Sequence, residues 1–111
     1  MRCAKLSVLA SIMTAAVALA APAHADPDVD FANELHTYGI YGPKDYNAWI
    51  GKITCQRLDN GLDHDAGMSA KFVFRQLPQH STTAQAWQFL GAALRTYCPD
   101  KLPVLDAVAQ Q

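Results

Sequence analysis

The chain has 111 residues, half of them hydrophobic, and nine basic against ten acidic side chains give a formal net charge of −1. That length suits one small domain, and so mild an acidity argues against the basic stripe that a nucleic-acid partner needs.

The first 25 residues read as a segment apart from the fold. Arg2 and Lys5 make a positive start, residues 6–21 are an uncharged run of 16 rich in Ala, Leu and Val, and Ala23-His24-Ala25 closes on small residues two apart. This is the layout of a secretory signal peptide cut after Ala25. The alternative, an uncleaved anchor, is disfavoured because a spanning helix needs roughly 20 apolar residues. No later stretch is apolar enough to span, so no stable membrane span is expected after cleavage, and residues 26–111 are expected to form one small helical domain that is secreted or held in the cell envelope. Seven basic and ten acidic side chains follow residue 25, a formal charge of −3.

Of three cysteines, Cys3 falls in the signal segment and Cys55 and Cys98 remain. Two cysteines in an oxidising compartment make one bridge, and small exported domains commonly need such a staple. Closing that loop should stabilise the fold by about 4 kcal/mol. A reactive dithiol is the competing reading, but the Cys-x-x-Cys spacing of redox sites is absent.

Four helices are expected. Asp26 can cap the first, Pro27 suits its first position, Phe31, Leu35 and Tyr38 recur at helical spacing, and Gly39 stops it. The second runs from about Lys44 to Asp59, before Asn60-Gly61. It reads as apolar on two faces, Tyr46, Trp49, Ile50 and Ile53 against Ala48, Gly51, Cys55 and Leu58, which suggests a central position in a bundle. Gly51 costs about 1 kcal/mol of helix propensity, so a close helix approach is its expected use. Asp63-His64-Asp65 opens a third helix carrying Met68, Phe72, Val73 and Leu77, ended by Pro78. Thr82-Thr83-Ala84-Gln85 is a capping box, followed by a stripe of Trp87, Leu90, Leu94, Tyr97 and Cys98. Pro99 ends that fourth helix, and one further turn after Pro103 could dock Val104, Leu105 and Val108. With short connections the second and fourth helices run parallel, which puts Cys55 and Cys98 at one end of the bundle.

Phe31 and Leu35 in the opening helix, Gly51-x-x-x-Cys55-x-x-Leu58-x-x-Gly61, and an aromatic-rich helix ending Tyr97-Cys98-Pro99 give a chain that resembles the mycobacterial secreted proteins grouped as domain of unknown function 732. The resemblance covers nearly all of the chain beyond residue 25. It implies a small exported helical domain with its two cysteines joined, and implies no catalytic or binding residues.

The acidic stretch Asp59-Asn60-Gly61-Leu62-Asp63-His64-Asp65 offers oxygen ligands for a hard cation, but a twelve-residue calcium loop would need a final Glu where Ala70 or Phe74 stands. A helix stop followed by capping acids explains it better. His36, His64 and His80 lack the i, i+4 spacing of a helical metal pair. With Tyr38 and Tyr41, His36 could ligate haem, although helical packing accounts for those tyrosines more simply. There is no Gly-x-Ser-x-Gly elbow, Ser81, Thr82 and Thr83 read as caps, and so small a bundle leaves little room for an enclosed active site. Tyr38, Tyr41, Tyr46, Trp49 and the off-stripe Phe89 are either core or an exposed patch, and the shortage of other large side chains favours the core.

The expectation is therefore an all-α fold, a small irregular four-helix bundle stapled by Cys55–Cys98. No catalytic, cofactor-binding or metal residue is assigned, and no cofactor is expected. The function it suggests is a non-enzymatic binding or interaction module of the cell envelope, its partner an unknown protein or an apolar ligand. A carrier of a small apolar ligand or haem comes second, and an envelope-acting hydrolase, with no residues behind it, third.

Overall fold

The computed structural model describes residues 26–109. The signal-peptide reading of residues 1–25 lies outside them. Helix α1 spans Pro27–Thr37, α2 Lys44–Asp59, α3 Ala66–Gln76 and α4 Thr83–Tyr97; a 3-10 turn, Pro99–Lys101, leads into α5, Pro103–Ala109. The described residues contain no strand.

Local chemistry sets most of the ends. The Asp26 carboxylate accepts from the Asp28 N–H, the Asp65 carboxylate accepts from the Met68 N–H, and Thr82 with Gln85 forms the expected capping box. Each satisfies amide groups that a helix start leaves without partners. Gly39 and Gly61 follow helix ends with φ of 78° and 81°, values that a side chain would make costly.

Packing centres on α4. Ala86, Phe89, Leu90, Gly91, Ala92, Ala93 and Leu94 are all buried, around most of that helix, and Ala84, Gln88 and Arg95 form its one exposed strip. On one side Phe89 meets Phe31, Leu35, Ile50 and Val73 from α1, α2 and α3. On the other, Leu90 and Leu94 meet Ala66 and Ala70 of α3, with Leu102, Val104, Leu105 and Val108 packed from the C-terminal segment. The expected docking of that segment is thus present, as a full short helix.

Two expectations need correction here. The central helix is α4 and not α2, because α4 carries small residues around its circumference and lets three helices approach. The apolar surface of α2 is also one broad face: Asn47, Ala48, Ile50, Gly51 and Thr54 are buried, whereas Tyr46 and Trp49 are exposed. At 100° per residue the buried set centres between the two faces read from the sequence, which puts Trp49 nearly opposite it. Polar Asn47 and Thr54 join that face because they are satisfied there. The Thr54 hydroxyl donates to the Ile50 carbonyl at 2.8 Å and the Asn47 amide donates to the Tyr41 carbonyl at 3.5 Å. Gly51 does serve a close approach: a Cβ there would lie 3.0 Å from the Tyr97 ring and 3.2 Å from that of Phe31.

The same contacts fix the helix directions. The Tyr97 hydroxyl donates to Asp28 at 2.7 Å, Arg95 pairs with Glu34, and the Gln85 amide donates to the Tyr38 carbonyl at 3.1 Å, so α1 runs antiparallel to α4. Lys52 near the middle of α2 pairs with Asp28 at the start of α1, and Cys55 is bonded to Cys98 with their Cα atoms 6.0 Å apart. The bridge therefore joins the C-terminal ends of α2 and α4, where the sequence placed it.

Asp28 and Tyr97 shift each other's proton affinity. The phenol's hydrogen bond, aided by Lys52, holds the Asp28 carboxyl below its ordinary value of 3.8. Burial first, then the Asp28 carboxylate, pushes the Tyr97 phenol well above its ordinary value of 10.0. A depressed carboxylate adds stability that is present above the unfolded pKa and lost as pH falls through the folded one; a raised phenol adds stability that is present below pH 10 and lost as pH rises beyond it. Tyr97→Phe should flatten both limbs of the stability–pH curve, read by urea unfolding from pH 2 to 11; unchanged limbs would refute the coupling. Replacing both Cys55 and Cys98 by Ala should lower unfolding free energy by about 4 kcal/mol in the same assay.

Candidate functional site

Where α3 crosses α4 the facing side chains are small. Gly67 and Ala70 come from α3, Ala86 from α4, and above them lies an open groove of about 410 Å³. Its two large walls are Phe74 and Trp87. Small-molecule sites commonly hold about 300–1,000 Å³, so the volume suits a compact ligand. Phe74 is 44% exposed, and Trp87 is only half-buried although it borders the Leu90 cluster. Both rings thus offer apolar surface to the groove that the core does not use.

The rim is polar and positive: Lys71, Arg75 and the Thr83 hydroxyl. Lys44, Lys52, Arg57, Arg95 and Lys101 each pair with a carboxylate; Lys71 and Arg75 have none within salt-bridge distance among the described residues. Both of these basic side chains belong to the groove. They stand at i, i+4 on one helix, an arrangement of like charges that costs a helix about 0.2–0.5 kcal/mol. Arg75 recovers part of this by lying in the last turn, at the negative end of the helix dipole. A second cavity of about 190 Å³ shares Gly67 and Trp87 with the first and continues to Val104, Ala107 and Val108 of α5.

The residues singled out in the sequence fall elsewhere. In the acidic stretch Asp63 is buried and accepts from Arg57 through both oxygens, at 2.9 and 3.0 Å, and from the Ser69 hydroxyl at 2.9 Å. Asp65 caps α3, and the Asn60 side chain accepts from the Leu62 N–H. This stretch is a structural knot, with the one correction that Asp63 is a buried ion-pair partner and not a helix cap. His36 is exposed and lies beside the Tyr41 ring at 4.9 Å between centroids, while the Tyr38 hydroxyl donates to Glu34 at 2.8 Å. His64 and His80 are exposed, and among the described residues no histidine, tyrosine or sulfur atom lines the groove.

The favoured core reading of the aromatics holds for Phe89 and is corrected for the others. Tyr41, Tyr46 and Trp49 are on the surface, at 64%, 41% and 57% exposure, and Tyr38 is half-buried. Phe89, off the stripe, is fully buried edge-to-face against Phe31 at 5.2 Å, because its side of α4 is covered by α1, α2 and α3. The groove itself was missed. Its sequence signal was the like-charged pair Lys71 and Arg75 flanking Phe74, a pattern that helix stability alone disfavours.

The family model described as "Protein of unknown function (DUF732)" matches residues 26–100, and the chain belongs to that family. Two uncharacterized proteins of Mycobacterium tuberculosis, one from each of two strains, are 54% identical to it over 107 residues, covering 96% of this chain and 96% of each relative. No solved structure matches it significantly. Neither the family's description nor the relatives' names carry an activity.

If the basic pair serves binding and not folding, removing a charge from it should not weaken the fold. Lys71→Gln is expected to leave unfolding free energy unchanged or raise it by about 0.2–0.5 kcal/mol at low salt. A loss above 1 kcal/mol on urea unfolding would show that Lys71 stabilises the helix after all.

Proposed function

We propose that this member of the DUF732 family is an exported, non-catalytic binding protein that holds a small apolar molecule in the groove between α3 and α4. The observation that carries the reading is the groove itself: a cleft of ligand size whose two aromatic walls, Phe74 and Trp87, are left partly open by a fold that buries nearly every other apolar side chain of α4. Export is supported by the signal-like residues 1–25 and by a bridge suited to an oxidising compartment. Binding without catalysis is supported by the lining. Among the described residues Thr83 is its one hydroxyl, no carboxylate, imidazole or thiol lines it, and Lys71 has no neighbouring carboxylate or imidazole in the lining to pair with in acid–base work. No helix among the described residues is long and apolar enough to cross a membrane.

A protein-contact role has one observation in its favour, the exposed Tyr46 and Trp49 rings 6.0 Å apart on α2. The groove is the better supported site because it is concave and brings unpaired charge beside apolar walls, the composition of ligand sites.

Titration of the oxidised protein with the neutral fluorophore N-phenyl-1-naphthylamine separates the two. Saturable one-to-one binding is expected, weakened tenfold or more by Trp87→Ala or by the surface change Phe74→Ser and left intact by Trp49→Ala, with folding checked by circular dichroism. Loss on Trp49→Ala alone would move the site to α2 and end the groove reading.

A further inference from the structure

We infer that the groove's ligand is a free single-chain amphiphile with one anionic headgroup, a carboxylate of the fatty-acid type, bound with its head at Lys71 and Arg75 and its chain running past Trp87 toward α5. The inference rests on the groove being the binding site and adds what it binds and in which direction.

Three features of the cleft set the ligand's shape. Lys71, one helical turn along α3 from Gly67, Arg75, one turn further, and the Thr83 hydroxyl supply donors for a carboxylate; among the described residues neither basic side chain has a carboxylate partner, and Arg can meet both carboxylate oxygens at once. Among the described residues the rest of the lining is Gly67, Ala70, Phe74, Ala86 and Trp87, with no polar side-chain atom to satisfy except the indole N–H. Beyond Trp87 the second cavity is lined by Val104, Ala107 and Val108, and because it shares Gly67 and Trp87 with the first, the indole is a common wall and not an end stop.

Polarity sets the direction. Among the described residues the one charged group on the second cavity is Asp65, whose carboxylate caps α3 by accepting from the Met68 N–H at 2.9 Å. An anionic head is repelled there and attracted at the opposite end. From Gly67, which the two cavities share, the α3 wall rises about 6 Å to Lys71 and about 12 Å to Arg75 at about 1.5 Å per residue, so an extended chain suits the path from the basic pair toward α5. A flat, rigid ring system would use the first cavity and leave the second empty.

The test compares laurate, dodecanol and dodecylamine on the oxidised protein, each below its aggregation concentration, by isothermal titration calorimetry. Laurate is expected to bind one-to-one and at least tenfold more tightly than dodecanol, with dodecylamine weakest. In Lys71→Gln/Arg75→Gln, a change of two surface side chains, laurate should fall to the affinity of dodecanol while dodecanol is unaffected. Ala107→Asp, an exposed position on the second cavity, should weaken laurate several-fold and leave hexanoate unchanged, because the shorter chain stops before α5. Equal affinity for laurate and dodecanol would overturn the headgroup assignment while leaving the groove reading intact. Equal loss of hexanoate and laurate in Ala107→Asp would overturn the direction. Binding to phosphatidylglycerol vesicles without binding to monomeric laurate would overturn the free-ligand claim in favour of a membrane surface. Failure of all three amphiphiles together with N-phenyl-1-naphthylamine would count against the groove itself.

Discussion

Everything in this molecule depends on α4 being buried around most of its circumference, with the strip of Ala84, Gln88 and Arg95 open to solvent. A helix can be surrounded only if its side chains leave room, and Ala86, Gly91, Ala92 and Ala93 leave it, while Phe89, Leu90 and Leu94 fill the space between the neighbours. Burying Phe89 and Leu90 fully is worth about 1.5–3 kcal/mol each, and both act between helices that do not otherwise form one continuous core. Helices α1, α2 and α3 are thus arranged by their fit to α4 more than by their fit to one another.

The groove is a by-product of that arrangement. The small residues that let α3 and α4 come close, Gly67, Ala70 and Ala86, are also those that leave volume once the helices diverge. The contacts that hold the fold and the side chains that line the groove are consequently different. Asp63, Arg57 and Ser69 hold the α2–α3 connection, Asp28 and Tyr97 clasp α1 to α4, and the bridge holds two helix ends together. Phe74, Lys71 and Arg75 contribute to none of these. Substitutions at the groove can therefore be tolerated by the fold, which is what allows a binding site to change its ligand without changing its scaffold.

The elements whose boundaries are local were readable from the sequence. Pro27 after Asp26, the Thr82–Gln85 box and the prolines at 78 and 99 act within a turn or two of where they stand, and the bridge followed from counting cysteines. What escaped was set by packing between distant segments. Whether Trp49 or Phe89 faces solvent depends on which neighbour arrives, and periodicity names a face without naming its partner. The groove escaped for the same reason, being space left between two helices and not a property of either. Its one local trace was the repulsive spacing of Lys71 and Arg75.

The bridge has a topological consequence. Residues 56–97 form a covalent ring closed by Cys55 and Cys98, and that ring holds α3, α4 and the exposed turn at 78–80 between them. Turns of this kind are where proteases cut first. A single cut there opens the ring without separating the pieces, and both halves of the groove stay tethered beside the same disulfide. Whatever protease makes the cut, the staple keeps the two walls of the groove in one molecule after the chain has become two.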